Sequence, residues 1–343
     1  MLLPFGVDQL NTANVNRPNQ FALDYYEGMR LAVDSLNSTG IKIRLIAYEA
    51  DKDTNRLLEL VNSEEFKKIN LIIGPVFSQT VPTINVFADC RSVSAFIPVN
   101  SNPKTIEKSQ NTFLQQSSTL TIADQVTEFA INNFGPDSAI IITSRNPKDT
   151  LQAYLCKSFY ESKGGKVIGY SRVDKSNFWA LNKTLTDTKL AQSGVLFIFN
   201  SDQMVAANII NVLELYDKNI PVVTTSHWLE FQSSNFEQLQ RRNFHFVLPE
   251  YVAYDTVTVK RFRYNYLKKM NILPSQYAFQ GYELMLMVGA NIDQGGTFFK
   301  SNIKNSGFSK GTVLPGYDYS GTNDNRFVPI YKFIDNRLKL VNR

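Results

Sequence analysis

The feature of this sequence that most constrains its fold is a repeated pairing of a short apolar run with an amphipathic segment. Apolar runs such as "NLIIGP" (70–75) and "VLFIF" (195–199) have the length of strands, and segments with helical spacing of apolar residues follow them. Near-continuous apolar strands that alternate with helices are typical of parallel sheets covered on both faces. About nine or ten strands are many for one sheet, so we predict an α/β protein with two doubly wound, Rossmann-like lobes.

The same patterns give approximate bounds for the elements. Strands are predicted at 2–7, 41–51, 70–75, 94–100, 138–144, 166–173, 194–200, 220–226 and in a strand-like run at 243–255. Helices are predicted at 21–40, 54–69, 80–90, 121–135, 257–270 and 275–292. Pro82 is expected in the first turn of its helix, where a missing N–H costs nothing. The segment 326–342 is predicted to be a hairpin that turns at Asp335-Asn336.

Composition narrows the class of protein. The chain has 343 residues, of which 43% are hydrophobic and 20% charged, as in ordinary globular proteins. Its longest apolar runs have strand length, well below the ~20 residues that span a bilayer, so no transmembrane segment is predicted. The net charge of +5 is too small for a nucleic-acid-binding balance. The densest basic run, 259–270, has apolar residues at helical spacing, which predicts a helix with solvated cations or an anionic docking site.

The start of the chain and the cysteines bear on its compartment. Met1 leads into "LLPFGV" without a basic region or a small-residue cleavage site, so we see no signal peptide. The chain is then either cytosolic or a trimmed form of an exported protein. Cys90 and Cys156 form neither a CxxC motif nor a metal-ligand cluster. We expect two free, mostly buried thiols and no metal site.

Signals for catalysis are weak. The chain has two histidines, His227 and His245, and lacks the GxSxG, HExxH and GxGxxG motifs. The segment "SKGGKV" (162–167) resembles a P-loop briefly, but it precedes a strand and is better interpreted as a helix C-cap. We therefore predict a binding protein with no catalytic residue and no cofactor.

Polar side chains follow the predicted strands at the points where they end. In doubly wound sheets, ligands bind beyond the carboxyl ends of the strands. Alternatively, Ser, Thr, Asn and Asp at these positions only cap the following helices. Few of the side chains are charged, which favours a small polar ligand over a reaction. The groups are 8–9 with the Asn-rich loop up to 20, 78–80, 100–102, 144–146, 200–202 and 225–228.

The order of elements resembles the type I periplasmic binding proteins, especially the branched-chain amino acid receptors of ABC transporters. The resemblance runs over nearly the whole chain, and each motif is weak by itself. The segments that carry it are "YYEGMRLAVDSLNSTG" (25–40), "LIIGPVFSQT" (71–80), "FIPVNSNP" (96–103), "SNFWALNKTL" (176–185), "QGYELMLMVGANI" (280–292) and "RFVPIYKFIDNRL" (326–338).

This resemblance implies two lobes joined by three crossovers and a hinge that closes on a ligand. Lobe one would hold 1–118 and 251–325, and lobe two would hold 119–250 and 326–343. It also implies a periplasmic or outer-membrane-associated location. Ser78 matches the position where the family offers a hydroxyl to the ligand's carboxylate, beside a helix N-terminus that favours anions. The expected ligand-binding residues are Ser78, Gln79, Asn100, Ser101 and Asn102 from lobe one, Asp202, His227 and Trp228 from lobe two, and Tyr254 at a crossover.

The sequence departs from the amino acid receptors in lobe two. The loop "SRNPKDT" (144–150) lacks their aromatic-glycine pair, and Ser226, His227 and Trp228 stand where they usually place an acid for the ligand's ammonium. Asp202 on the neighbouring loop is the expected substitute, and Trp228 is expected to stack on a ring or cover an apolar side chain.

Two functions are therefore predicted from different classes. The first is a solute-binding protein that captures a small polar ligand, such as an amino acid or a derivative, for an ABC transporter permease. The second is a regulatory or scaffold module of the same fold, such as a cell-wall-synthase activator or a ligand-sensing domain, with a cell-envelope protein as its partner.

Overall fold

The computed structural model describes residues 1–7, 19–135, 137–231, 235–295 and 299–342, which divide into two compact units. Unit one comprises Met1–Ser118 and Glu250–Phe327, and unit two comprises Thr119–Pro249 and Val328–Arg343. The chain therefore passes from one unit to the other three times.

The elements alternate as the sequence predicts. The strands are β1 (Leu2–Leu3), β2 (Tyr48–Glu49), β3 (Leu71–Ile73), β4 (Ser94–Ile97), β5 (Thr112–Leu114), β6 (Ser138–Thr143), β7 (Lys166–Arg172), β8 (Ser193–Phe199), β9 (Val222–Thr225), β10 (Phe244–Val247), β11 (Phe308–Lys310), β12 (Gly316–Asp318), β13 (Ile330–Ile334) and β14 (Arg337–Leu340). The helices are α1 (Gln20–Ser38), α2 (Thr54–Asn62), α3 (Val81–Arg91), α4 (Thr119–Phe134), α5 (Pro147–Ser162), α6 (Trp179–Thr184), α7 (Asp187–Gln192), α8 (Gln203–Glu214), α9 (Phe236–Arg241), α10 (Val257–Met270), α11 (Gln276–Gly295) and α12 (Phe299–Asn305).

Unit one is built on short parallel strands. β3, β4 and β5 form one sheet in that order, and β1 pairs with β2. Helices α1 and α11 pack against each other beside these strands, with Tyr25, Met29 and Leu284 in the shared core. The sheet places the ends of β3, β4 and β5 side by side at one edge.

Unit two has one larger mixed sheet. Its strand order is β14-β13-β10-β9-β8-β6-β7, with parallel pairing from β7 to β10 and antiparallel pairing at β13 and β14. The strands that lie inside the sheet are almost wholly buried, as their apolar sequences require. β13 and β14 form the predicted hairpin, and both turn residues, Asp335 and Asn336, have positive φ. This is the backbone that a two-residue turn needs.

Several local predictions are confirmed. Pro82 lies in the first turn of α3, and Gly164, with φ of +90°, follows the end of α5. Helix α10 buries Val259, Phe262 and Tyr266, so its apolar stripe faces the core of unit one.

Two predictions from the sequence were wrong, and three short strands were not predicted. Of the strand predicted at 41–51, only Tyr48 and Glu49 pair with a neighbour, because β1 offers two residues as partners. The three-residue strands β5, β11 and β12 were not predicted, since three residues carry too little periodicity. Cys156 is buried but Cys90 is exposed, so the prediction of two mostly buried thiols fails for Cys90.

His245 on β10 makes the stability of unit two depend on pH. Its ring lies 5.1 Å from Phe134 and 5.7 Å from Phe129, and its buried Nδ1 has no hydrogen-bond partner among the described residues. Burial, reinforced by Lys332, lowers the pKa of His245 from 6.5 to about 4. The unfolded chain therefore binds more protons at this residue between these pH values, so stability is lost as the pH falls.

We expect protonation of His245 to cost about 3 kcal/mol of unfolding free energy between pH 7 and pH 4. Urea unfolding across this range, followed by circular dichroism, measures the loss. His245→Phe should remove about that much of the pH dependence, whereas His227→Gln, at the chain's other histidine, should leave it in place. Equal slopes in the wild type and His245→Phe would contradict the assignment.

Candidate ligand-binding site

The turn between β3 and α3 leaves the start of the helix open. Gly74 has φ of +106°, and a Cβ built there would lie 2.0 Å from the carbonyl oxygen of Leu2, so only glycine fits at this position. The hydroxyl of Thr80 donates to the carbonyl oxygen of Phe77 at 2.8 Å rather than capping α3. The first N–H groups of α3 therefore receive no side-chain cap from Thr80, and they carry the partial positive charge of a helix N-terminus.

Ser78 lies in this turn and Asn100 in the loop after β4, and the two side chains meet. Ser78 is exposed, and its hydroxyl oxygen accepts from Nδ2 of the buried Asn100 at 3.4 Å. Oδ1 of Asn100 accepts from the backbone N–H of Asn102 at 2.8 Å. Val99, the residue before Asn100, has φ of +55°, which is rare for a β-branched residue. A strained backbone thus holds Asn100 against the turn that carries Ser78.

The other predicted residues of lobe one have local partners. Oδ1 of Asn102 accepts from the N–H of Lys104 and caps a short 3-10 turn, while Ser101 is half-buried. Nε2 of the exposed Gln79 donates to the carbonyl oxygen of Lys52 at 2.8 Å. Asp8, Gln9 and the Asn-rich loop up to Pro18 lie outside the described residues.

Tyr254 lies in unit one, near the second passage of the chain between the units. Its ring is half-exposed, meets the edge of Phe279 at 6.0 Å between centroids, and lies 5.2 Å from the guanidinium carbon of Arg263. The structure therefore leaves part of the Tyr254 ring open to solvent.

In unit two, Asn200 organises the loops after β7, β8 and β9. Its Nδ2 donates to the carbonyl oxygen of Val173 at 2.8 Å, and its own carbonyl oxygen accepts from Nε1 of Trp228 at 3.0 Å. Trp228 is fully buried, with its ring 5.3 Å from that of Phe244. The expectation that Trp228 stacks on a ligand is therefore wrong for this structure, because protein atoms cover its ring.

The two other predicted residues of lobe two differ in their environment. Oδ1 of Asp202 accepts from the backbone N–H groups of Met204 and Val205, at 2.8 and 3.3 Å, and so caps α8. His227 is exposed, and its Nδ1 lies 3.3 Å from the hydroxyl of Thr225. A capping carboxylate is already stabilised by the helix, which leaves less of its charge for a ligand.

Two further acids of unit two, Asp174 after β7 and Asp149 in the first turn of α5, also have protein partners. Oδ2 of Asp174 lies 2.7 Å from Nε of Arg145, and hydrogen bonds from Ser176 lower the pKa of Asp174. Oδ2 of Asp149 accepts from the hydroxyl of Ser144 at 2.6 Å. The ion pair was not predicted, because Arg145 and Asp174 follow different strands and only the order of the sheet brings them together.

The described residues contain no cluster of three or more His, Cys, Asp and Glu side chains that could hold a metal ion. Among the same residues, no helix is both long and apolar enough to cross a membrane.

Comparison with known proteins identifies the family. The family profile described as periplasmic binding protein matches residues 19–305, which is most of the chain. The chain therefore belongs to the periplasmic binding protein family, whose members are solute-binding proteins. No curated protein matches the chain by sequence.

Solved structures agree on the fold. A candidate branched-chain amino acid ABC transporter protein from Rhodospirillum rubrum matches with a TM-score of 0.71 at 12% identity, covering 99% of this chain and 98% of its own. An ABC transporter substrate-binding protein from Desulfitobacterium hafniense, in complex with Leu, matches with a TM-score of 0.58 at 14% identity. The match covers 99% of this chain and 98% of that protein. A solute-binding protein from R. palustris, in complex with benzoate, matches with a TM-score of 0.53 at 15% identity. The match covers 99% of this chain and 94% of that protein. The resemblance and the type I fold predicted from the sequence are thereby confirmed.

Proposed function

We propose that this protein is an extracytoplasmic solute-binding protein that captures a small polar ligand, such as an amino acid or a derivative, and delivers it to an ABC transporter permease. In this proposal the two units are the lobes predicted from the sequence, and a hinge closes them on the ligand. Closure would be driven by the contacts that the ligand makes with both lobes only in the closed state. The protein would bind its ligand without transforming it, in a periplasmic or outer-membrane-associated location.

The contact between Ser78 and Asn100 carries this proposal. It brings a hydroxyl and a carboxamide together beside the uncapped start of α3, at the carboxyl ends of two adjacent parallel strands. Hydroxyl, amide and helix N–H donors suit the carboxylate of a small ligand. The solved relatives with bound Leu and benzoate both hold ligands that carry a carboxylate. Gln79, Ser101, Asn102, Asp202, His227 and Tyr254 remain proposed contributors.

A melting-temperature screen of refolded, ligand-stripped protein tests the function. The panel should hold amino acids, aromatic and aliphatic carboxylates, short peptides, sugars, nucleosides and cell-wall fragments. A ligand at a hundred times its dissociation constant adds ~2.7 kcal/mol of stability, which is roughly 2–4 °C for a chain of this size. A shift with one chemical class supports the proposal and names the ligand class. A flat panel with folded protein would contradict it.

We expect Ser78→Ala to raise the dissociation constant of the ligand found in this screen about ten-fold. The variant loses one hydrogen bond to a charged group, which contributes ~1.5 kcal/mol or more. Isothermal titration calorimetry measures the change. Ser162→Ala is the matched control, because Ser162 is an exposed serine at the far end of α5. Unchanged affinity in Ser78→Ala would remove Ser78 from the site.

The proposed role of Asp202 in ligand binding is tested with a variant that removes the charge of its side chain but keeps the cap on α8. Asp202→Asn keeps an oxygen that caps α8 equally well, so a loss of affinity in this variant reports the carboxylate charge and not the helix.

The alternative function, a regulatory or scaffold module such as a cell-wall-synthase activator or a ligand-sensing domain, is favoured by one observation. Asp149 in the first turn of α5, and Asp174 and Asp202 on loops of unit two, each interact with neighbouring protein groups. A module that no longer binds a small ligand needs no free polar groups at the carboxyl ends of the strands of unit two. A flat screen, followed by binding of a purified cell-envelope protein, would support this alternative.

A further inference from the structure

Helix α10 of unit one has a side that faces solvent and mixes cations with apolar residues. Its inner side is marked by the buried residues Val259, Phe262 and Tyr266. Residues at i, i+4, i+7 and i+8 lie together on the opposite side of the helix. Here they are two lysines and two large apolar residues, all exposed, and two more exposed apolar residues follow the end of the helix. We call these six residues the α10 face: Lys260, Tyr264, Leu267, Lys268, Ile272 and Leu273.

The apolar side chains of the α10 face are widely open to water. Tyr264 is 66% exposed and Leu273 59% exposed. Asn271, with φ of +57°, ends the helix, so Ile272 and Leu273 stand in the turn that follows it. Exposed apolar residues are ordinary when they are scattered singly, but here four fall within the ten residues 264–273. Such a group gains free energy when an apolar partner removes it from water.

The charge around the α10 face has one sign. Residues 256–282 contain five Lys and Arg residues and neither Asp nor Glu. Lys269 pairs with Asp34 of α1, whereas Lys260 and Lys268 form no ion pair with any described residue. Lys260 also lies in the first turn of α10, where the helix dipole disfavours a cation, so it does not serve the stability of the helix. The potential over this face is therefore positive and suits an anionic partner.

A groove beside Lys268 offers donors for such a partner. It lies between α1 and α10 and has a volume of about 530 Å³. Its lining includes ammonium, amide and hydroxyl groups, which are donors that phosphate oxygens accept from. The one carboxylate in the lining is already paired with a lysine. The lining residues are Leu31, Asp34, Ser35, Asn265, Lys268 and Lys269.

We propose that the α10 face docks this protein on the surface of an anionic phospholipid membrane. The two lysines attract the lipid phosphates, while Ile272 and Leu273 enter the boundary between head groups and acyl chains. Tyr264 has an apolar ring with a polar tip, which suits the level of the head groups. An acidic protein matches the cations alone, whereas the apolar residues beside them favour a lipid surface. This inference goes beyond the proposed function and does not depend on which ligand the protein carries.

Sedimentation of the full chain with lipid vesicles tests the docking. Vesicles of equal parts phosphatidylglycerol and phosphatidylcholine are compared with vesicles of phosphatidylcholine alone, at about 0.1 M salt. We expect binding to the anionic vesicles to be about 25-fold stronger, from about five-fold for each of the two lysines. Raising the salt to about 1 M should weaken it, because the screening length falls to ~3 Å. Equal binding to both kinds of vesicle, or binding to neither, overturns the proposal.

A pair of charge variants locates the docking surface. The double variant Lys260→Gln/Lys268→Gln should bind anionic vesicles about 25-fold more weakly than the wild type. Glutamine forms helices about as well as lysine, so α10 should stay folded, which circular dichroism checks. Lys148→Gln/Lys175→Gln is the matched control, because it removes the same charge from two exposed lysines of unit two. An equal loss in the two double variants would show that net charge alone drives binding, and the α10 face would be excluded.

An apolar variant separates a lipid surface from an acidic protein. Ile272→Ser/Leu273→Ser should weaken binding to the anionic vesicles about ten-fold, since it removes the side chains that enter the lipid. Leu58→Ser is the control at an exposed leucine of α2 and should leave binding unchanged. If the lysine variant loses binding and the apolar variant does not, the face recognises charge alone. An acidic protein is then the better occupant, and the lipid proposal is overturned. None of these measurements uses the small ligand, so their failure leaves the proposed function standing.

Discussion

Gly281→Val is expected to destabilise unit one by about 4 kcal/mol, because α1 and α11 touch through their backbones. A Cβ built at Gly281 would lie 2.1 Å from the carbonyl oxygen of Tyr25, and one at Gly28 would lie 2.0 Å from that of Ala278. Neither contact involves the flexible end of a side chain. Any larger residue must push the two helices apart and open the core that they share with Phe96 and Phe113.

Urea unfolding followed by circular dichroism measures this effect. Ala290→Val is the matched control, because Ala290 lies on the solvent-exposed side of the same helix. It should cost only ~0.5 kcal/mol, the difference in helix propensity. A loss below about 1 kcal/mol for Gly281→Val would show that the helices can separate freely, contrary to the structure.

Glu283→Ala should lower the unfolding free energy by about 4 kcal/mol, since it leaves the backbone N–H groups of three consecutive residues, the buried Val313 among them, without an acceptor. Oε2 of Glu283 accepts from the N–H groups of Val313 and Leu314, and both carboxylate oxygens accept from the N–H of Thr312 at 2.8 and 2.9 Å. Glu283 is 3% exposed, and burial raises its pKa against the effect of these N–H groups. The carboxylate thus holds the turn that leads into β12.

The same urea measurement, together with hydrogen exchange of the amides of 312–314, tests the role of Glu283. Glu283→Gln keeps one acceptor oxygen and should lose about half as much stability as Glu283→Ala. Glu64→Ala removes an exposed acid that pairs with Lys67 and should cost at most ~0.5 kcal/mol. Full protection of the amides of 312–314 in Glu283→Ala would contradict the assignment.

Local sequence patterns were enough to predict most of the helices and strands. The helical spacing in 21–40 and 257–270 produced α1 and α10 with their apolar faces inward. The hairpin at Asp335-Asn336 followed from two residue types that tolerate positive φ. These features depend on contacts between residues that are near each other in sequence, so the sequence alone predicts them.

Burial of individual side chains was less predictable. Trp228 was expected to stack on a ring or cover an apolar side chain of the ligand, and Cys90 was expected to be a mostly buried thiol. The structure buries Trp228 against Phe244 and exposes Cys90 at the end of α3. Each outcome depends on what packs over the residue, which its sequence neighbours do not reveal.

Part of the candidate site could be predicted from the sequence. The rule that ligands bind at the carboxyl ends of parallel strands selected the segments 78–80 and 100–102, and the family resemblance selected Ser78 and Asn100 within them. The structure brings these two side chains into contact. Their role in ligand binding remains a prediction.

The sequence by itself determined the alternation of strands and helices and the turn of the final hairpin, because these follow from periodicity and turn chemistry over a few residues. It indicated the family through the resemblance of several motifs spread over nearly the whole chain. Only the tertiary structure decided which polar groups meet at the edge of the β3-β4-β5 sheet. It also decided that Glu283 would be buried against backbone N–H groups and Gly281 against a carbonyl oxygen. These contacts join segments far apart in the chain, and their free energy depends on distance and burial, which only the folded chain sets.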